Sequence, residues 1–260
     1  MTVAELTVRQ RRGTIALAGR EVRRVLTLWT QTILPPIVTA GLLLVVFGGA
    51  LGARIREIEG LAYLDFILPG LLVMTVASQS IANASTSLFQ AKNEGYIEDV
   101  LTAPLRAWQL VVAYMAGGVV RALAAAVIIA FAAAPFAGGV EHPAVAVLAL
   151  VLATLVFAAL GTIVGIWADT FDQHSFVAAI VVTPLALLGG VFYSARTLAE
   201  PWSTVTKLDP IYYLVDATRY GFTGFHETSV ALSLAVAALV AVATVALASG
   251  LVARGWRLKP

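Results

Sequence analysis

Apolar residues run along this chain in long stretches separated by short polar ones. Charge-free windows cover residues 25–53, 66–91, 143–168, 175–195 and 228–253, and another, 107–140, is broken only by Arg121. A hydrocarbon core of about 30 Å takes roughly 20 apolar residues of α-helix, and backbone polar groups in lipid must be satisfied internally. A closed barrel would also satisfy them, but its strands alternate apolar and polar residues over about ten positions. These windows are continuously apolar and rich in Leu, Ala and Val. The pattern predicts an all-α integral membrane protein with six transmembrane helices in a domain spanning residues 30–253. The spans are placed at about 30–52, 66–89, 108–134, 144–168, 175–193 and 229–252.

The segments between the windows carry their own patterns. Residues 1–29 divide into a polar tail (1–12) and an amphipathic stretch (14–29). In the latter, Ala18, Val22, Val25 and Trp29 fall on one helical face and Arg20, Arg23 and Arg24 on the rest. That arrangement predicts a helix lying in the membrane interface with its basic side toward anionic headgroups. Its length of basic sequence and lack of an early apolar core argue against a cleavable signal peptide. Pro35 and Pro36 mark the turn into the first span or a kink near its start. Residues 194–227 are half apolar and aromatic, with Trp202, Tyr212, Tyr213, Phe222 and Phe225 punctuated by Pro201 and Pro210. They predict two short helices at, or dipping into, the outer leaflet. Residues 254–260 form a short basic tail.

Composition agrees with the spans. Of 260 residues, 60% are apolar and 12% charged, about half the charged share of an average soluble domain. This excludes an ordinary soluble enzyme, a disordered chain and a nucleic-acid-binding protein. The net charge of +2 becomes informative once it is distributed. Arg9, Arg11, Arg12, Arg20, Arg23, Arg24, Lys92, Arg106, Arg254, Arg257 and Lys259 fall on one side of the predicted membrane. Arg54, Arg56, Arg196, Lys207 and Arg219 fall on the other. The excess of Lys and Arg predicts that both termini are cytoplasmic.

Candidate chemistry is sparse. No predicted span contains Asp or Glu, the residues ion-coupled transporters use to carry protons or cations. His142, His174 and His226 all fall in loops, and the chain has no cysteine. It lacks the G-x-x-x-x-G-K-[ST] phosphate loop, so it has no ATP site of that kind. Arg121 is the one charge inside a span; a structural or gating role and simple snorkelling both remain open. Small-xxx-small pairs occur at Gly48/Gly52, Ala113/Gly117 and Gly161/Gly165, where helices can approach closely.

The segment between the second and third spans is the most informative. In Glu94-Gly95-Tyr96-Ile97-Glu98-Asp99-Val100-Leu101-Thr102-Ala103-Pro104, Ile97, Val100 and Leu101 are spaced i, i+3, i+4 while Glu98 and Asp99 point elsewhere. This predicts a short amphipathic cytoplasmic helix. Its stripe must dock either on a partner or on helix ends of the same protein.

With Ile67-Leu68-Pro69-Gly70-Leu71, Gly189-Gly190-Val191-Phe192-Tyr193, Asp209-Pro210-Ile211-Tyr212-Tyr213 and Arg219-Tyr220-Gly221, this segment resembles the ABC-2 type membrane subunits of bacterial ATP-binding-cassette exporters over nearly the whole chain. The resemblance implies a permease, not an enzyme, that pairs with a second permease copy and docks two ABC ATPase subunits. The chain itself would bind no cofactor; ATP and Mg would sit on the ATPases. Glu94, Gly95, Tyr96, Ile97, Glu98, Asp99, Val100 and Leu101 would form the ATPase-coupling helix, and the helix bearing Arg20, Arg23, Arg24 and Trp29 the connecting helix. Trp202, Pro210, Tyr212, Tyr213 and Arg219 would belong to an outer re-entrant gate, with the second and fifth spans lining the path. A multi-pass protein of the bacterial cytoplasmic membrane moving a drug, lipid or polysaccharide is the expectation. An ion-coupled secondary transporter and a lipid-modifying membrane enzyme are the alternatives.

Overall fold

A computed structural model of the chain describes residues 3–32, 34–46, 57–177, 180 and 183–258. The protein is mostly helical (79%). Among the described residues, four helices are long and apolar enough to cross a membrane: α4 (Tyr63–Asn93), α6 (Ala107–Ala133), α7 (Pro143–Trp167) and α12 (Val230–Ala253). They fall on the second, third, fourth and sixth predicted spans, displaced by a few residues at most. The first and fifth predicted spans lie partly outside the described residues, as do Gly48, Gly52, Arg54, Arg56 and Lys259. Their described parts hold α2 (Trp29–Thr32), α3 (Leu34–Leu44), α8 (Phe171–Val177) and α9 (Thr183–Leu188), and the last five residues of the fifth predicted span, 189–193, are turn and not helix.

The remaining elements are α1 (Val3–Thr27), α5 (Ile97–Thr102), α10 (Trp202–Leu208) and α11 (Pro210–Thr223). One departure from an all-α chain is a minimal hairpin, β1 (Glu57–Ile58) against β2 (Leu61–Ala62). It turns through Glu59 and Gly60, both at positive φ as tight hairpin turns require. Alternation over two residues is too short to register as a strand pattern in sequence.

The helix α4 is central. It packs on α6, α7 and α11, and 67% of its apolar window is buried, against 17% for α12, which leaves most of its surface to lipid or partners. The α4–α7 contact depends on the Gly161/Gly165 pair. A Cβ at Gly161 would come within 2.8 Å of the Ile81 carbonyl oxygen, and one at Gly165 within 2.7 Å of that of Ser85. Small residues substitute for hydrophobic driving force between helices in lipid, because only backbone proximity gains dispersion there. At 31 residues, α4 is about 46 Å long, well beyond a core of about 30 Å. The excess lies at its α5 end, where Ser80, Asn83, Ser87 and Gln90 recur at helical spacing.

Two expectations about the N-terminal segment change. Helix α1 begins at Val3, so residues 3–12 are helix and not a loose tail. Glu5 in its first turn favours the helix dipole, and Leu, Arg and Gln are good helix formers whatever their polarity. Its buried face is Leu17, Glu21 and Val25, packed along α6, while Trp29 lies beyond its end and is exposed. Glu21, charged yet on the buried face, has its charge met within the fold.

Candidate functional site

At the α5 end, three elements form a platform. Gly95, at φ +79°, turns the chain out of α4 into α5. Ile97 is buried, and Val100 and Leu101 pack half-buried in the same apolar cluster, beside Leu17 of α1, Leu110 and Tyr114 of α6 and Ile166 of α7. The apolar stripe therefore docks on helix ends of its own protein, which resolves one of the two options left by sequence. What remains outward is acidic: Glu94, Glu98 and Asp99 are exposed.

Helix α1 is joined to this platform through Arg20. Its guanidinium lies 5.0 Å from the ring centre of half-buried Tyr96, a cation–π distance, and donates to Glu21 at 2.9 Å. Burial pushes the Tyr96 hydroxyl toward its neutral form. Glu21, 1% exposed, also accepts from Ser87 of α4 and pairs with Arg24 at 3.2 Å. Arg24 in turn donates to Gln90 at 3.2 Å and Asn83 at 3.4 Å, while Arg23 is exposed. A buried carboxylate is tolerated only when paired and hydrogen-bonded in this way. Arg121, half-buried on α6, lies one turn beyond Gly117, whose position abuts Glu21 and Asn83, and within electrostatic reach of Arg24. The intramembrane charge thus belongs to the far edge of this polar seam. Sequence offered a signal for the seam that went unread: Ser80, Asn83, Ser87 and Gln90 share one face of α4.

At the opposite end, α11 is buried among α4, α7 and α12. Asp209 caps it by accepting from the Ile211 N–H at 2.8 Å, and Pro210 takes the first helical position, where a missing N–H costs nothing. Burial raises the Asp209 carboxyl to a pKa of about 6, against the opposing pull of that N–H. Arg219 is 1% exposed. Its Nε donates to the Phe66 carbonyl at 3.1 Å and Nη2 to the Gly190 carbonyl at 2.7 Å, and its guanidinium lies 3.8 Å from the Phe66 ring centre. Nη1 lies 3.6 Å from Glu227 Oε1. Glu227 Oε2 accepts from the Ala195 N–H at 2.9 Å, and Asp216 accepts from the Glu227 N–H at 2.7 Å and Ser233 Oγ at 2.8 Å. Burial raises the Glu227 carboxyl and lowers the Arg219 guanidinium, each opposed by the other's charge; the guanidinium stays protonated at neutral pH.

The predicted outer residues therefore part company. Tyr212 and Arg219 are buried, Tyr213 donates to the Lys207 carbonyl at 2.9 Å, and Trp202 is exposed on α10. Glu227 and Asp216, given no role by the sequence, complete the network that Arg219 needs.

The ABC-2 type transporter family model matches residues 12–223. The chain belongs to that family. An inner membrane transport permease of Escherichia coli K12, YadH, is 36% identical over 242 residues, 93% of this chain and 94% of the relative. Nodulation protein J of Rhizobium leguminosarum bv. viciae is 26% identical over 195 residues, 73% and 74% of the two chains. That of Rhizobium meliloti is 24% identical over 216 residues, 82% and 81%. Long apolar helices and kinship with an inner membrane permease make this ABC-2 protein a multi-pass transport protein of the cytoplasmic membrane. The family match includes α5 and Arg219 but ends before Glu227, so the carboxylate opposing Arg219 lies outside the matched region.

Proposed function

We propose that the chain is the membrane subunit of an ATP-driven exporter, crossing the membrane six times with both termini in the cytoplasm. Two such subunits, or this one and a homologous permease, pair above two ABC ATPase subunits. ATP and Mg are bound and hydrolysed on the ATPases. The observation that carries this reading is the division of α5 into two faces. Its apolar stripe is seated on the protein, while Glu94, Glu98 and Asp99 are left outward on a platform fixed to α1, α4 and α6. ATP can drive a permease that has no nucleotide site only through a contact that distinguishes its conformations. A short, supported, acidic helix offers that contact, and basic residues around a cleft on the ATPase would steer its docking.

The cargo is an amphipathic drug, a lipid or a glycan, leaving the cytoplasmic side. That choice follows from the family resemblance. The outer network around Arg219 holds α11 as the exit segment. The test is charge reversal, Glu98→Lys with Asp99→Lys. Both side chains are exposed, so the permease should fold and insert normally yet lose its ATPase on co-purification. Retention of the ATPase and of nucleotide-driven transport would overturn the docking assignment. Flux driven by an ion gradient without any ATPase would favour the secondary-transporter alternative.

A further inference from the structure

The segment that follows α12 does not trail away from the protein. Gly255 at φ +65° and Arg257 at φ +52° reverse the chain, with the Gly255 N–H donating to the Val252 carbonyl at 3.0 Å and the Trp256 N–H to that of Leu251 at 3.2 Å. The reversal returns Leu258 to the protein, where it is 2% exposed. Leu258 packs in the same apolar cluster as Ile97 and Leu17, and it shares the wall of a small apolar cavity with Ile97, Leu101 and Tyr114. It is therefore part of the floor on which α5 rests.

A second set of contacts fixes that floor to the bundle. Arg257 pairs with Asp169, just past the end of α7. Lys92, at the end of α4, lies 3.5 Å from the same carboxylate and donates to the Ile166 and Ala168 carbonyls at 2.7 and 3.0 Å. Carbonyls at a helix C-terminus lack intrahelical donors, so a lysine there satisfies them and complements the dipole. The ends of α4, α7 and α12 thus meet at one carboxylate.

We propose that residues 254–258 act as a brace for the coupling helix, with Leu258 supporting α5 and the Arg257–Asp169–Lys92 cluster passing its displacement to α4 and α7. A helix of six residues cannot hold its own geometry in isolation. It is tethered on one side by Gly95, so its orientation depends on what its stripe rests on. Without Leu258, the stripe keeps its contacts to α1, α6 and α7 but loses its support from the end of α12, so a push on α5 reaches the bundle less completely. The brace rests on the reading that α5 receives the ATPase. It lies outside the residues the family model matches, and it assigns Arg257 and Leu258 as positioning residues.

The test uses the full chain and two independent readouts. The chain has no cysteine, so Thr102→Cys gives a single nitroxide attachment point on exposed Thr102 of α5. Label mobility is measured on the permease alone, and ATP hydrolysis and co-purification on the permease with its ATPase. Leu258→Asp and Arg257→Glu should mobilise the label and reduce hydrolysis at least threefold while the ATPase still co-purifies. Arg257→Lys should match the parent in both readouts. If Leu258→Asp does not insert, Leu258→Ala carries the same expectation with a smaller effect. An unchanged label spectrum in Arg257→Glu and in the Leu258 variant overturns the brace. Failure of the parent chain to retain any ATPase counts against the exporter reading instead, and the mobility measurement then decides the brace alone.

Discussion

Replacing Arg219 with Met tests the outer network most directly. Met keeps the length and much of the apolar bulk, so the change isolates charge and hydrogen bonding. It removes two donors, at 3.1 Å to Phe66 and 2.7 Å to Gly190, and the cation 3.6 Å from Glu227. A buried carbonyl left without a donor costs about 1–3 kcal/mol. Removing one member of a buried ion pair costs about 3–5 kcal/mol, because the other charge stays desolvated. Some of each penalty overlaps, so the expected loss for Arg219→Met is about 3–5 kcal/mol, measured by equilibrium unfolding in mixed micelles. Glu227→Gln should cost less, since its amide oxygen can still accept from Ala195. The double variant removes both charges of this pair, so its loss should fall short of the sum of the singles by at least about 1 kcal/mol. Hydrogen bonds between membrane helices average only about 0.6 kcal/mol. A loss of that size for Arg219→Met, or additive singles, would refute the claim that Arg219 and Glu227 form a desolvated pair.

Glu21→Ala should destabilise the protein by about 1–3 kcal/mol in the same assay, since buried Ser87 loses its acceptor while Arg20 and Arg24 can be hydrated, and should expose α1 to proteolysis. Gly161→Val should cost at least about 1–3 kcal/mol, because its Cβ meets backbone of Ile81 that cannot yield, whereas Gly19→Ala, with open space around it, should be neutral or slightly stabilising. Asp209 binds its proton more tightly when folded, with a pKa of about 6 against 3.8 unfolded, so its contribution to stability is present below the unfolded value and is lost as pH rises through about 6. Asp209→Asn keeps an acceptor for the cap and should flatten the fall in melting temperature between pH 4 and 6; an unchanged pH profile would show that the carboxyl is hydrated.

Sequence alone determined how many long apolar helices to look for, where four of them lie and which short segment carries an amphipathic stripe. These features are local: hydrocarbon thickness sets helix length, and the i, i+3, i+4 spacing of Ile97, Val100 and Leu101 shows on any helix. Which surface the stripe meets, and whether a charge is exposed, depends on what other parts of the chain bring to the same place. The burial of Glu21 does not show along the chain: Arg20 and Arg24 flank it on α1, but its partner Ser87 comes from α4. Asp216 and Glu227 fall in the outer segment 194–227 without an assigned role, because the burial of Arg219, 1% exposed, does not show along the chain. In a chain with only 12% charged residues, the contacts that Glu21 and Arg219 make with distant segments come from the fold. Tertiary structure decided those pairings because the cost of burying a charge is settled by neighbours in space, whatever their distance in sequence.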